Sequence, residues 1–283
     1  MVSLRPAWSD ALAPGRLRVV SPLPLVTPVD RGWAWGGSDG TGVVVAVVDG
    51  GVEADHPRVG GVSRAAAFVA DSRAPRGARE EPDDGGDPVG HGTACAGVIR
   101  SVAPGVELIS ARVLGDRLTG QARTFAAGIR WAVREGAQVI SCSLSSSSAE
   151  GKALLHDVAD EVHFAGATLV CAANNLPGPT YPTTFAAVIS VAAVQGGGFV
   201  ANHAPPVDFG APGIDVEVAW RGGATMRTTG NSFAAPYVAG LCALVLAKHP
   251  GLTPYELKTV LRSCADNAVR PVATAPHGGE ADG

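Results

Sequence analysis

An aspartate, a histidine and a serine, far apart in a chain of 283 residues, each sit in a local pattern suited to chemistry. Asp49 closes the β-branched run TGVVVAVVDGG (41–51). Functional groups gather at the carboxyl ends of parallel strands. Alone, such an aspartate reads first as a turn cap, and the same place could hold a metal or a phosphoryl group. His91 lies in GHGTACAGVI (90–99), between two glycines and ahead of an apolar helix. Glycine lets backbone approach a ligand closely, although a capping or core histidine would read the same way. Ser232 lies in TTGNSFAAPYVAGLCAL (228–244), where a small-residue turn opens an almost wholly apolar helix. A helix start offers unpaired N–H groups and a positive dipole end. A serine there can attack a carbonyl while its own N–H binds the developing oxyanion. It can also be a plain N-cap, but a cap requires neither Pro236 nor the turn before it.

The elements that must hold these residues alternate in type. Apolar runs at 41–51, 107–114, 138–142, 168–173 and 188–194 read as buried strands. Helical spacing at 121–134 groups Phe125, Ile129, Trp131 and Val133, with Gly136 as the stop. The segment 152–165 groups Leu155, Val158, Val162 and Phe164 in the same manner. The run 232–248 is apolar nearly all round, so a helix through the centre of the domain is expected. A last helix spans 253–262, with Pro254 in its first turn. This alternation predicts an α/β fold with a mostly parallel sheet and helices on both faces. The expected organisation is an N-terminal arm at 1–40, one domain at 41–265, and a tail at 266–283 that is small, polar and disordered from about residue 270. The stretch 71–87, DSRAPRGAREEPDDGGD, reads as a solvated loop.

Composition excludes several classes. Apolar residues reach 46%, too many for a wholly disordered chain. The formal charge of −4 argues against nucleic acid or anionic lipid as the main partner. No uninterrupted apolar run is long enough for a membrane span, and the N-terminus lacks the apolar core of a secretory signal. The five cysteines, Cys95, Cys142, Cys171, Cys242 and Cys264, contain no CxxC and no zinc spacing. They are expected to be buried thiols in a cytoplasmic protein.

In the order Asp49, His91, Ser232, the words VVVAVVDGGV, GHGTACAG and GNSFAAPYVAG closely resemble the subtilisin-like serine protease family. ARVLGDRLTGQ (111–121), VISCSLS (139–145), TLVCAANN (168–175) and YPTTFAAVISVAAV (181–194) extend the resemblance across about 41–265. The resemblance implies a three-layer subtilisin-like sandwich and a serine endopeptidase acting through an acyl-enzyme. The roles it implies are inherited from the family. Ser232 is the nucleophile, His91 its general base and acid, and Asp49 orients the imidazole. The family's side-chain oxyanion donor is an Asn just past a strand, and counting from Gly166 favours Asn175 over Asn174. Substrate is expected as an extended strand between Leu118-Thr119-Gly120 and Ser143-Leu144-Ser145. The pocket for the residue before the cleaved bond would be walled by Ser143–Ser145 and Asn174, with its base near Thr180.

Several positions depart from the family pattern. Gly50 replaces a usual Ser or Thr, and Asn231 replaces a usual Thr before the nucleophile. Ser145, Asn174 and Thr180 stand where glycine is common. Arg58 replaces a usual aspartate, and the loop that forms the tight calcium site is missing after His91. No metal and no cofactor is therefore expected. The acidic residues at 80–87 read as solvated rather than as a cation site. The Met1 start and short leader suggest a compact intracellular enzyme, by analogy one that processes precursor peptides. Two rivals share the motifs. A ligase or macrocyclase would pass the same acyl group to an amine, and a dead binding module would hold peptide without reacting. Oligomeric state is not legible.

Overall fold

A computed structural model describes residues 29–268 apart from 84, 116 and 177. Most of the expected arm and the tail beyond 268 lie outside the described residues. The strands are β1 Val44–Asp49, β2 Arg64–Ala70, β3 Ala78–Pro82, β4 Glu107–Arg112, β5 Val139–Cys142, β6 Thr168–Ala172, β7 Ile189–Val194, β8 Val200–Ala201, β9 Phe209–Pro212, β10 Val216–Trp220 and β11 Ala224–Thr228. The helices are α1 Arg31–Trp35, α2 His91–Val102, α3 Ala122–Arg134, α4 Ala149–Phe164, α5 Asn231–Lys248 and α6 Pro254–Ser263.

Nine strands form one sheet in the order β3-β2-β4-β1-β5-β6-β7-β9-β8. β2 through β9 run parallel in that order, and β3 and β8 add antiparallel edges. β1 is buried on both faces. Val45 and Val47 pack with α2 and α5, while Ala46 and Val48 pack with α3 and α4. That double burial is why its sequence is continuous rather than alternating. The chain passes from β4 across β1 to β5, so Asp49 ends its strand between Arg112 of β4 and the chain leaving Cys142 of β5. Strand order reverses here, which opens a crevice at the carboxyl ends.

α5 has 18 residues and a mean hydropathy of 1.3, enough by length and composition to cross a membrane. Here it runs through the core, because the sheet covers one side and α2 the other. α2 and α5 meet closely at Gly240, where a Cβ would lie 2.7 Å from the Val102 side chain. All five cysteines are buried, and burial pushes the Cys142, Cys171 and Cys242 thiols up.

Several expectations need correction. Residues 71–87 are not a solvated loop. β3 pairs antiparallel with β2, and Asp87 is buried. Phe164 does not join the apolar face of α4. It ends that helix at 83% exposure, while Leu155, Val158 and Val162 are buried. The described end of the arm contains α1, whose Trp33 stacks on His249 and whose Gly32 and Gly36 carbonyls accept from Lys248 Nζ. β2, β8, β9 and the β10–β11 hairpin were not foreseen.

Gly240→Val should force α2 and α5 apart. Overpacking of this kind costs about 1–3 kcal/mol, and each kcal/mol lowers Tm by roughly 2–4 °C in a domain of this size. A melt followed by circular dichroism would measure it. An unchanged Tm would mean the helices yield without strain.

Candidate active site

Asp49 is 1% exposed and accepts the Gly50 N–H at 2.7 Å. His91 opens α2, and its Nδ1 lies 2.9 Å from both Asp49 carboxylate oxygens. A carboxylate can only accept, so Nδ1 carries the proton and Nε2 keeps its lone pair toward the cleft. The approach depends on glycine. A Cβ at Gly92 would overlap the Gly51 carbonyl oxygen, and Gly90 has φ +98° against the Trp220 ring.

Asp87 fixes the same turn. Its Oδ1 accepts from the Gly90 N–H at 2.8 Å, and its Oδ2 accepts from the Thr93 N–H and hydroxyl, both at 2.8 Å. The Thr93 hydroxyl in turn accepts the Glu53 N–H. Asp87 therefore caps α2 and ties it to the segment after β1. The available signal was an aspartate just ahead of a helix start, which the surrounding acidic run disguised.

Ser232 stands in the first turn of α5. Its Oγ donates at 3.5 Å to the Ser143 carbonyl rather than bonding His91. Both side chains line one cleft, so rotation about the serine χ1 is needed before proton transfer. Pro236 lies one turn on. Lacking an N–H, it leaves the Ser232 carbonyl outside the helix ladder. Ser143 Oγ donates to that carbonyl at 2.8 Å, with the Cys95 thiol at 3.5 Å. The proline thus releases a bond that joins the helix to the cleft wall.

The cleft has a volume of about 550 Å³. Leu118, Thr119 and Gly120 line one side, and Ser143, Leu144 and Ser145 the other. Leu114, Gln121, Ala122, Phe125, Ser146 and Phe233 also face it, and sequence reading missed them. Asn175 lines the cleft beside Ser232, whereas Asn174 and Thr180 do not. Thr180 is buried, with a hydroxyl that has no partner. Two contacts close the gap beyond the ends of β5 and β6. Ser146 pairs with Tyr181, and Thr183 Oγ1 donates to the Ala172 carbonyl at 2.8 Å. The Ser146 and Ser148 hydroxyls lie 3.1 Å apart, and Ser148 caps α4 by accepting the Gly151 N–H.

Burial by itself would lower the His91 pKa. The charge of Asp49, its hydrogen bond and the charge of Asp87 outweigh this and raise it above 6.5. Near His91, burial and the Asp49 charge push the Cys95 thiol well up, so it stays protonated. Arg58 pairs with Glu217 of β10.

An Asp–His pair at the mouth of a parallel sheet, beside a serine on a helix start, defines an α/β protein arranged for attack on a carbonyl group. The subtilase family profile matches residues 40–278, and the chain belongs to that family. It is 33% identical over 240 residues to the thermostable alkaline protease of Halalkalibacterium halodurans, covering 80% of this chain and 63% of that one. It is 32% identical over 247 residues to subtilisin E of Bacillus subtilis, covering 81% and 62%. The chain thus spans less than two thirds of these relatives. The structure of a cold-adapted subtilisin-like serine proteinase superposes with a TM-score of 0.66 at 28% identity, covering 80% of this chain and 83% of that one. The fold is subtilisin-like.

The raised His91 pKa has a direct consequence. Protonated imidazole cannot act as base, so kcat/KM on a peptide should climb as His91 loses its proton. The midpoint should lie above 6.5, and Asp87→Asn should move it down. A flat profile from pH 5 to 9 would remove His91 from the reaction.

Proposed function

We propose that this chain is a serine endopeptidase that cleaves peptide bonds through an acyl-enzyme. The observation that carries the reading is the His91 Nδ1 bond to Asp49 inside a cleft that Ser232 and Asn175 also line. Ser232 Oγ attacks the substrate carbonyl carbon, and its proton passes to His91 Nε2. The oxyanion is received by the Ser232 N–H and by Asn175 Nδ2. His91 then gives the proton to the departing amine nitrogen as the C–N bond breaks. Water, deprotonated by His91, attacks the ester, and Ser232 recovers its proton as the acid leaves. Asp49 holds the ring in the tautomer this sequence requires and balances the imidazolium charge.

Among the described residues, the backbone groups of Leu144 and Ser145 have no protein partner. Free backbone beside the nucleophile suits an extended peptide added as a strand. The substrate we propose is a peptide with an accessible extended segment, such as a precursor awaiting processing. The residue before the cleaved bond is placed against Ser145 on the cleft wall. Small neutral side chains fit that space. Among the described residues that line the cleft there is no carboxylate, so a buried Lys or Arg would stay unpaired, at high cost.

A fluorophosphonate should label the parent protein at Ser232, and Ser232→Ala should abolish both labelling and cleavage by several orders of magnitude. Mass spectrometry of a peptide library would read the second expectation. Cuts should follow Ala, Ser or Val, and Phe should be disfavoured by about tenfold or more, at 1–3 kcal/mol for each misfit methylene. Cleavage mainly after Phe or Arg would overturn the pocket assignment, and products longer than any input peptide would show ligation.

A further inference from the structure

Asn231, immediately before the nucleophile, makes three side-chain hydrogen bonds, all of them to backbone groups. Its Oδ1 accepts the Ala193 N–H of β7 at 2.8 Å. Its Nδ2 donates to the Ala173 carbonyl at 3.1 Å and to the Asn174 carbonyl at 2.9 Å. Its own N–H donates to Asn175 Oδ1 at 2.9 Å. These bonds begin where the sheet stops. β6 ends at Ala172, the Ala173 N–H makes a last bond to Val191, and the chain then leaves β7. The Asn231 amide fills the opening and joins β7, the segment after β6 and the start of α5.

This arrangement also settles how Asn175 is turned. A backbone N–H can only donate, so the atom facing Asn231 is the Asn175 amide oxygen. With Oδ1 held there, Nδ2 is the end left free, on a side chain that lines the cleft. Threonine, the residue usual at this position, has one hydroxyl. It could serve the Ala193 N–H and one carbonyl, but not both carbonyls.

We propose that Asn231 is the positioning residue of the oxyanion site. By pinning the carbonyls of Ala173 and Asn174 to the helix start, it keeps Asn175 Nδ2 aimed at the oxyanion. It touches neither substrate nor oxyanion and acts through Asn175. The proposal rests on the peptidase reading above.

The test is a double-mutant cycle on the full chain, with kcat referred to active sites counted by fluorophosphonate titration. Misfolded protein then lowers the titre and leaves kcat per site unaffected. Asn231→Ala should lower kcat per site about tenfold, the order expected for losing well-made buried hydrogen bonds, with KM within about twofold. Asn231→Thr should fall between parent and Asn231→Ala. Asn175→Ala should cost more than either. Adding Asn231→Ala to Asn175→Ala should change kcat less than twofold, because the group being positioned is gone. Unchanged kcat in Asn231→Ala, an effect on KM alone, or fully multiplying losses in the double variant would overturn the proposal while the peptidase reading stood. A parent protein that neither labels nor cleaves would overturn both.

Discussion

The contact from which the site is built is the bond from His91 to Asp49. It joins the end of a strand buried on both faces to the first residue of a helix, and neither partner can shift without disturbing the core. Its length of 2.9 Å requires α2 to rest almost on the backbone after β1. Gly92 has no Cβ to collide with Gly51, and Gly90 adopts a backbone conformation that other residues resist. Asp87 supplies the hydrogen bonds the helix start would otherwise lack. The glycines flanking the histidine therefore serve a packing constraint, and the chemistry follows from it.

The serine side is fixed differently. α5 is held by apolar contact along its length, but its first turn is held by polar bonds to loops. Pro236 gives the Ser232 carbonyl to Ser143, and Asn231 takes three backbone groups from β7 and the segment after β6. Two walls of the cleft are thereby tied to the residue that carries the nucleophile. The hydroxyl itself remains outside that network except for one bond at 3.5 Å, so it is free to turn toward His91.

What could be read in advance follows from this division. β1, β4, β5, β6 and β7 were visible because strands covered on both faces are written as unbroken apolar runs. β3 was hidden because AREEP lies on an edge and carries charge where pattern reading expects apolar residues. β10 and β11 face solvent on one side and cover Ala94 and Phe233 with the other, a relation no local window contains. Phe164 kept helical spacing but sits on the last turn, where the chain turns away from the sheet. In the site, the motifs around Asp49, His91 and Ser232 were legible because each needs a particular local backbone. Asp87, Thr183 and the bond from Ser143 to Ser232 were not, because their meaning lies in partners that folding brings together.

The two ends of the sheet bear on self-association. β3 offers an outer edge of Arg79, Glu80, Glu81 and Pro82, with charged side chains that are costly to bury against a second copy and a proline that cannot donate. At the other end β8 is two residues long, and the Asn267 side chain takes both the N–H and the carbonyl of Ala201. Neither edge is left as a template for a stray strand. In a protein proposed to capture extended peptides by their backbone, that closure matters. Strand addition is withheld at the margins, where it would lead to aggregation, and left available beside the nucleophile.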